Sequence, residues 1–542
     1  MAILIETNEY QTPITEELLS QYPEEVVQQF TEIINIVPFI KNLINPNRPK
    51  IEDLPRDKEG RAIVDITNPP IYKDADYFRQ AALFYLKNDC YTKLRPNSNP
   101  NSEYRKYWRE ELRRCREGLI RQSDGMYVTG FLYWFLNYCP MMVNFYKEGQ
   151  KKAIRKESFG FFFEGIWWRS IYLYNAREQG HHAIELAKRG CAKSYFLATI
   201  MSHNLIVGES EATHKRCITV LTAAQKEYLK DDKDGTLNKF IPELSFVIDN
   251  TPFPNLLLKN SPNEMSWQMG YKKPNGAIGG SMNQVLGVSA KDDSDKLRGK
   301  RGWILYEEMG TFDGLLELYD VTRKSVEDGD YTFSCMYLVG TANNKESSFL
   351  SAKKLLYAPE SYNIQSVPNV YDKKGSGKDV FGFFFPAYIN RAGCYNKDGI
   401  SDVIKALLQV LMARYKAKYG ADPTSVLRVI AEDPITPAEA IIKVKDAYFP
   451  VASLQERADT LDKNPSLYDD IYVGELYTTS TGEIEFRPTD DIPIRTYPVD
   501  NDTKGALEIY SMPKKDREGK VFNDRYIIGV DPKSLGLILA IK

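Results

Sequence analysis

The chain has 542 residues, 43% of them hydrophobic, and a formal net charge of −2 at pH 7. This length exceeds what one hydrophobic core usually serves, so we expect a large domain with at least one further part. The near-neutral charge excludes a uniformly basic coat protein, although a local basic patch would suffice to bind DNA.

The cysteines, the histidines and the N-terminus indicate a cellular compartment. Seven scattered cysteines form no C-x-x-C pair, which argues against a disulfide framework and favours a reducing cytoplasm. The four histidines lack the spacing of metal ligands. The first residues, MAILIETNEY, have neither a basic region nor a long apolar stretch, so we expect no secretory signal.

Residues 1–120 are predicted to form a mostly helical extension, interrupted by turns rich in Pro and Asn at 45–50 and 95–103. A charged helix is predicted over 104–117, with Gly118 placed to end it. Glu110 and Arg114 stand four residues apart in that helix. Ion pairs on a solvated helix face are therefore favoured over a DNA contact.

Residues 121–430 alternate strand-like apolar runs, such as 302–306 and 335–339, with helical patterns, such as 400–418. This alternation predicts a three-layer α/β domain with a mainly parallel sheet. The most apolar stretch, FGFFFEGIWW at 159–168, is too short to span a bilayer and is predicted to be a buried core helix.

A candidate phosphate-binding loop lies at 186–194, with the sequence LAKRGCAKS. The pattern G-x-x-x-x-G-K-[ST] places backbone N–H groups and a lysine on phosphates and a hydroxyl on Mg²⁺. Lys193 and Ser194 fill its last two positions, but Ala187 and Ala192 replace both glycines. The predicted ATP-binding residues are Ala187, Lys188, Arg189, Gly190, Cys191, Ala192, Lys193 and Ser194.

Two alternatives stand beside this loop. A helix can begin at lysine and serine without binding any ligand. A second glycine- and lysine-bearing segment, GSGK at 375–378, is rejected because Asp379 follows it where Ser or Thr is required.

The segment WILYEE at 303–308 is an apolar strand that ends in two acids. This is the Walker B arrangement, in which the first acid supports Mg²⁺ and the second polarises the attacking water. We therefore predict Glu307 as the metal-supporting residue and Glu308 as the catalytic base, although Asp is the usual first acid. The alternative is a pair of solvated glutamates after a buried strand.

A third strand, in YLVGTAN at 337–343, ends in small polar residues that could sense the γ-phosphate. A strand followed by a tight turn is the alternative. A phosphate loop, an acidic strand end and a polar strand end, in this order, are unlikely to occur by chance in one α/β region.

Over 126–531 the chain resembles the large terminase subunit of tailed phages. The resemblance is carried by these segments: GMYVTGFLYWFLNYCP at 125–140, RGCAKS at 189–194, KLRGKRGWILYEE at 296–308, VGTAN at 339–343 and AEDPITPAEAI at 431–441. The last is specific, since phosphate-loop chemistry does not require it. The resemblance implies a P-loop NTPase fold of the ASCE type.

The resemblance also implies roles for individual residues. Lys193 and Ser194 would bind phosphate and Mg²⁺, with Glu307 and Glu308 as above. Thr341 and Asn343 would couple hydrolysis to DNA movement. Arg189 would contact phosphate in cis, and whether the arginine finger is Arg189, Arg298 or a residue of a neighbouring subunit stays open.

As a whole, the resemblance implies an ATP- and Mg²⁺-dependent motor subunit that moves double-stranded viral DNA into procapsids. Its partners would be the portal protein, the procapsid, a small terminase subunit and further copies in a ring. It would act in the host bacterial cytoplasm and not at a membrane. The alternatives are a nucleotide-binding assembly factor with a degenerate phosphate loop, and another P-loop DNA translocase or helicase.

Beyond the ATPase domain we expect a linker or lid at 431–522 and the start of an RNase H-like nuclease domain at 523–542. The segment YIIGVD at 526–531 is similar to that domain's first strand and makes Asp531 a metal ligand. No Asp or Glu follows Asp531, whereas a two-metal site needs several carboxylates. We therefore expect an incomplete nuclease and no cleavage by this chain alone.

Overall fold

The computed structural model describes residues 5–145, 152–208, 216–230, 235–290, 294–341, 346–372, 379–420, 425–441, 472–482, 484–490, 506–509, 526–530 and 537–541. The chain divides into two compact units, Met1–Asp446 and Ala447–Lys542. Among the described residues, no helix has the length and apolar character needed to cross a membrane.

The helices of the first unit lie around a central sheet. In chain order they are α1 (Glu16–Leu19), α2 (Glu24–Ile36), α3 (Pro38–Ile44), α4 (Gln80–Asn88), α5 (Glu103–Glu117), α6 (Gly130–Tyr138), α7 (Glu164–Glu178), α8 (Lys193–Ile206), α9 (Lys226–Leu229), α10 (Leu237–Asn250), α11 (Leu315–Val326), α12 (Glu346–Tyr357), α13 (Val403–Lys418), α14 (Ser425–Glu432) and α15 (Pro437–Ala440).

The strands of the first unit are, in chain order, β1 (Leu119–Ile120), β2 (Tyr127–Val128), β3 (Pro140–Phe145), β4 (Ile154–Phe159), β5 (Ala183–Ala187), β6 (Ile218–Ala223), β7 (Leu257–Ser261), β8 (Ser266–Met269), β9 (Tyr271–Lys272), β10 (Ile278–Gly279), β11 (Gln284–Ser289), β12 (Trp303–Tyr306), β13 (Glu327–Asp328), β14 (Tyr331–Thr332), β15 (Met336–Gly340), β16 (Val367–Pro368), β17 (Val380–Phe381) and β18 (Phe383–Phe385).

Eight strands form the central sheet in the order β18-β5-β15-β12-β6-β11-β8-β7. The pairs from β18 to β11 are parallel, whereas β8 joins β11 and β7 joins β8 in antiparallel fashion. Strands β5, β12 and β15 are buried at every residue, as strands covered by helices on both faces must be. The predicted α/β class with a mainly parallel central sheet is confirmed.

The N-terminal helices pack within the first unit. Helices α2 and α3 lie against α13. The side chain of Gln11 donates to the carbonyl of Ser401 and accepts from the N–H of Val403. Arg48 and Glu164 form an ion pair at 2.9 Å with both side chains fully buried. Breaking such a pair leaves an uncompensated buried charge, so these contacts hold residues 5–48 firmly on the domain.

The predicted charged helix is confirmed as α5, which ends at Gly118. Arg114 contacts Glu110 at 3.0 Å and Arg113 contacts Glu117 at 3.1 Å, so the predicted ion pairs form along its exposed side. The opposite side is buried, where Glu111 accepts hydrogen bonds from two tyrosines, Tyr133 and Tyr138.

The prediction of one core helix over 159–168 is wrong in its first half. Phe159 ends strand β4, and α7 begins only at Glu164. Phenylalanine favours strands, and a Cβ at Gly160 would lie 2.7 Å from the Phe135 ring, so the chain turns here in close contact with α6. The second half, through Trp168, is the predicted buried helix.

The second unit contains a three-stranded antiparallel sheet and a hairpin. The sheet has the order β20-β19-β21, with β19 (Tyr472–Thr478), β20 (Ile484–Pro488) and β21 (Leu507–Ile509). The hairpin pairs β22 (Tyr526–Val530) with β23 (Leu537–Ile541). The predicted strand before Asp531 is therefore present as β22, while Asp531 itself lies outside the described residues.

Candidate active site

The candidate phosphate loop connects β5 to α8. Strand β5 ends at Ala187 and α8 begins at Lys193, which is the strand-loop-helix order that phosphate binding at a helix N-terminus requires. Ala192 caps α8 with φ of 59°, in the left-handed region where glycine is usually favoured. At Ala192 the loop therefore adopts the backbone conformation that a glycine would favour there, in spite of the alanine Cβ.

The two motifs meet at the carboxyl edge of the sheet. The Nζ atom of Lys193 lies 2.6 Å from Oε1 of Glu308. The hydroxyl of Ser194 donates to Oε1 of Glu307 over 2.8 Å. Residues more than 110 positions apart in the sequence thus form one cluster. The order of the motifs predicts only that they belong to one α/β region.

A backbone turn brings both acids to the same place. Side chains of consecutive residues in a continuing strand would point to opposite faces of the sheet. Strand β12 ends at Tyr306, however, and Glu308 has φ of 49° in the left-handed region. A short 3-10 helix, Met309–Thr311, follows directly. The turn lets the carboxylates of Glu307 and Glu308 face the same helix N-terminus.

The environments of the two acids differ. Burial raises the pKa of Glu307, which is 3% exposed, although the Lys193 charge opposes that shift. Burial acts on Glu308 in the same direction, but the Lys193 ammonium and hydrogen bonds from Thr341 outweigh it and hold the pKa of Glu308 below its ordinary value. Burial opposes the charge of Lys193 too, yet both carboxylates raise its pKa. The Lys193–Glu308 pair is therefore ionised at neutral pH.

Thr341 joins the cluster from β15. Its backbone N–H and its hydroxyl donate to Oε2 of Glu308 over 3.1 and 2.9 Å. Both oxygens of Glu308 are thus occupied, one by Lys193 and the other by Thr341, so that the orientation of this carboxylate depends on the end of β15.

A buried network behind the loop was not predicted from the sequence. Arg169, on α7, forms a fully buried ion pair with Glu185 of β5 at 2.6 Å and donates to the carbonyl oxygen of Cys191 over 2.9 Å. Tyr337, on β15, donates its hydroxyl to Glu185. The signal was one charged residue in an apolar strand and another in an apolar helix, because buried charges need a partner.

An open cleft of about 770 Å³ borders the loop. It is lined by loop residues 188–194 and by apolar side chains that include Met141, Phe161 and Phe163. Burial lowers the pKa of Lys188 to about 8, and its Nζ atom donates to the carbonyl of Ala387. The volume and the mixed lining suit a nucleotide-sized ligand.

The residues present also fit a magnesium ion. Among the described residues, Oε2 of Glu307 is buried and has no hydrogen-bond partner, so it can accept from a metal-bound water. Ser194 supplies a hydroxyl beside it. No cluster of three or more His, Cys, Asp or Glu that could itself enclose a metal occurs in the described part of the chain, so a metal here would depend on phosphate and water ligands.

Other predicted site residues lie elsewhere. The Arg189 side chain is 66% exposed and contacts Glu432 at 3.5 Å instead of reaching the Lys193 cluster. Arg298 is exposed and pairs with Asp295. Asn343, Asp531 and the GSGK segment at 375–378 lie outside the described residues.

The proline-rich segment at 431–441 packs beside the loop. Its Asp433 lines the same cleft and pairs with Arg391 at 3.0 Å. A capping box joins Thr436 and Glu439, and Glu439 also accepts from Arg414 over 2.7 Å. The segment thus forms one rigid wall of the cleft.

No protein-family model and no curated protein sequence matches the chain. Among solved structures, it is similar to a mutant of the ATPase domain of the Thermus phage P74-26 large terminase, with 10% identity and a TM-score of 0.33 over 49% of this chain and 92% of that one. It is also similar to the HK97 bacteriophage large terminase, with 9% identity and a TM-score of 0.26 over 61% of this chain and 63% of that one. Both are large terminases, the family that the sequence motifs resemble. At TM-scores this low, the Lys193 cluster is the stronger guide to function.

Proposed function

We propose that this chain is a terminase-like ATPase, the motor subunit that moves double-stranded viral DNA into a procapsid. One observation carries the proposal. The lysine and serine of a strand-loop-helix turn meet two strand-end glutamates within hydrogen-bond distance, at the carboxyl edge of a parallel sheet. Ligands bind at this edge in open α/β sheets.

In this proposal the loop N–H groups and Lys193 hold the β- and γ-phosphates of ATP. The carboxylate of Glu308 orients the attacking water and accepts its proton. Its lowered pKa keeps it ionised for that role at neutral pH. Thr341, which donates to the same carboxylate, would report the state of the γ-phosphate to the rest of β15. Asn343 would assist it, and Arg189 would turn from Glu432 to the phosphates.

Mg²⁺, when bound, neutralises phosphate charge during hydrolysis. Ser194 and Glu307 are the residues that would hold it, directly and through water respectively. Glu307 is longer than the usual aspartate, but its carboxylate already stands at the serine hydroxyl, so the extra methylene does not prevent this arrangement.

The partners proposed with this activity are double-stranded DNA, a portal protein on the procapsid, a small terminase subunit and further copies of the chain in a ring. The proposed place of action is the host cytoplasm during assembly. DNA attraction that depends on phosphate contacts should weaken as salt increases.

The test is steady-state ATP hydrolysis with and without duplex DNA and Mg²⁺. We expect Mg²⁺-dependent turnover that DNA stimulates. Glu308→Gln should lower kcat by about 100- to 10,000-fold, the usual range for loss of a general base. Lys193→Ala should abolish detectable turnover. Glu317→Gln, at an exposed position of α11, and Lys226→Ala, at an exposed position of α9, are the matched controls. Equal hydrolysis by wild type, Lys193→Ala and Glu308→Gln would refute the proposal.

Two other functions give different results in the same assay. A nucleotide-binding assembly factor would bind ATP in a Lys193-dependent way without turnover. A helicase would separate a short duplex while it hydrolyses ATP. Ala192 is the feature that favours the first of these over the second, since an alanine stands at a left-handed position where glycine is usual.

A further inference from the structure

A second cleft, of about 620 Å³, lies at the opposite, amino edge of the central sheet. Its lining comes from the end of α7 and from the segments that enter β5, β6, β12 and β15. The charged residues among this lining are Arg177, Glu178, Arg216 and Arg301. The described residues that line the cleft therefore carry a formal charge of +2, in a chain whose net charge is −2.

The sheet register sets two of these arginines side by side. Arg216 precedes β6 by two residues, and Arg301 precedes β12 by two residues. Strands β6 and β12 are parallel neighbours, with Trp303 paired to Thr219. Extended two residues back, that register places Arg301 opposite Cys217. The backbone of Arg301 then lies roughly 5 Å, one strand spacing, from Cys217, which is the residue next to Arg216.

The third arginine reaches the same place from α7. The guanidinium of Arg177 lies 6.0 Å from the centre of the Trp303 ring, at the start of β12. Burial raises the pKa of Cys217, which lines the cleft, to about 11, and the charge of Arg177 opposes that shift. The positive field of Arg177 thus extends to the start of β6.

Two of these three charges have no ion-pair partner among the described residues. Within the part of the chain that the structure describes, neither Arg216 nor Arg301 forms an ion pair, and both side chains are on exposed residues. Like charges that line one cleft repel one another, and a counter-ion bound between them relieves that repulsion. The backbone of Arg216 is itself fixed, because its N–H donates to the carbonyl of Ser281 over 2.7 Å.

The chemistry of the cleft favours phosphate over carboxylate. A carboxylate is satisfied by one guanidinium fork, whereas a phosphate group has enough oxygens and charge for several. Two aromatic side chains, Trp303 and the 51%-exposed Phe333, also line the cleft. The exposed Phe333 ring offers a flat surface to a sugar or a base, whereas Trp303 is 9% exposed and its ring packs against Arg177.

We infer that this amino-edge cleft, formed by Arg177, Arg216 and Arg301 with Trp303 and Phe333, binds a phosphate group of a nucleotide or of a nucleic-acid backbone. It lies at the end of the strands opposite to the Lys193 cluster, so it is a second phosphate site and goes beyond the proposed function.

The experiment measures binding by fluorescence anisotropy in a Lys193→Ala background, which removes the phosphate loop from the measurement. One arm uses a fluorescent adenosine monophosphate and the other a labelled 20-base-pair duplex. The test variant is Arg216→Ala with Arg301→Ala. The control is Arg95→Ala with Arg105→Ala, two exposed arginines outside the cleft that carry the same total charge.

We expect the test variant to bind at least one probe 10-fold or more weakly than the Lys193→Ala parent does. The control should change the affinity for that probe by less than about 3-fold. Weakening of the nucleotide arm identifies a free nucleotide as the source of the phosphate. Weakening of the duplex arm identifies the nucleic-acid backbone, and the slope of log K against log salt should then fall by about 2. Glu178→Gln, which removes the carboxylate found among the described lining residues, should tighten binding of the same probe.

If neither probe responds to the test variant more than to the control, the cleft is not a phosphate site. Melting temperatures of all variants, measured in parallel, distinguish loss of binding from loss of folding. Glu178→Gln gives an independent answer should the double variant fold poorly, because its failure to tighten either probe also overturns the inference.

Discussion

The two edges of the central sheet differ in how their charged side chains are paired. At the carboxyl edge, Lys193 pairs with Glu308 and Ser194 donates to Glu307, so that each of these four side chains has a partner within the chain. At the amino edge, the described residues that line the cleft include three arginines and one carboxylate, that of Glu178. A compensated cluster has its geometry built in, as catalysis requires. A cluster with an excess of positive charge is instead stabilised when it binds an anion.

The largest effect that we expect concerns the support of the carboxyl edge. Arg169→Met would leave Glu185 buried without its partner, which usually lowers the free energy of unfolding by about 3–5 kcal/mol. Denaturant unfolding measures this. Lys106→Ala, which removes an exposed pair with Glu103, is the control and should change it by less than about 1 kcal/mol. Similar small changes in both variants would mean that the buried network does not support the loop.

The amino edge should be sensitive to acid through His203, near the end of α8. Burial lowers its pKa to about 4, and the charges of Arg177 and Arg116 add to that shift. In the unfolded chain the histidine has an ordinary pKa near 6.5. Between pH 6.5 and pH 4 the unfolded chain therefore binds a proton that His203 in the folded protein does not bind. Stability is therefore complete above pH 6.5 and falls as the pH decreases toward 4, by on the order of 3 kcal/mol.

Unfolding curves between pH 4 and pH 7 measure this loss, with His203→Gln as the comparison. Glutamine can still donate to the carbonyl of Cys115, which His203 contacts over 2.7 Å, but it does not titrate. The wild type should lose more stability across this range than the variant does. If the free energy of unfolding depends on pH in the same way for the two proteins, His203 is not the cause of the acid sensitivity.

A smaller effect is expected at the link between the end of β15 and Glu308. Thr341→Val removes the hydroxyl donor to Glu308 and keeps the shape of the side chain. A hydrogen bond to a charged group contributes about 1.5–3 kcal/mol, so kcat should fall by roughly 10-fold or more. Thr341→Ser should restore most of the rate. If the valine variant is as fast as wild type, Thr341 does not orient Glu308.

The smallest effect on stability is expected at Arg189. Its contact with Glu432 is long and solvent-exposed, so Glu432→Gln should change the free energy of unfolding by less than about 0.5 kcal/mol. If Arg189 contacts phosphate during turnover, Arg189→Ala should lower kcat with an equally small change in stability. Loss of stability without loss of rate would assign Arg189 to the fold instead of the reaction.

The sequence predicts the α/β class and the membership of the Lys193 cluster because each motif is local: a loop of nine residues, and two strands that end in polar side chains. It does not predict that Ala192 and Glu308 adopt left-handed backbones, since both residue types normally avoid that region. These two turns are what bring the lysine and the acids together.

Contacts between distant segments explain the rest. The bonds of Gln11 join residues about 390 positions apart, and no local pattern contains such information. No local sequence pattern sets the three amino-edge arginines apart from the other arginines of the chain. Their convergence follows from the strand order β15-β12-β6, which depends on the whole sheet.

Strand β15 and the residue after it contact both the network behind the loop and Glu308. Tyr337, through Glu185 and Arg169, holds the phosphate loop, and Thr341 holds Glu308. The two residues are four apart, an even spacing, so along an extended chain they share one face of the sheet. Inserting or deleting a single residue between them would reverse this parity and turn the threonine away from the acid. The length of this short segment is therefore under as strict a constraint as the identity of its residues.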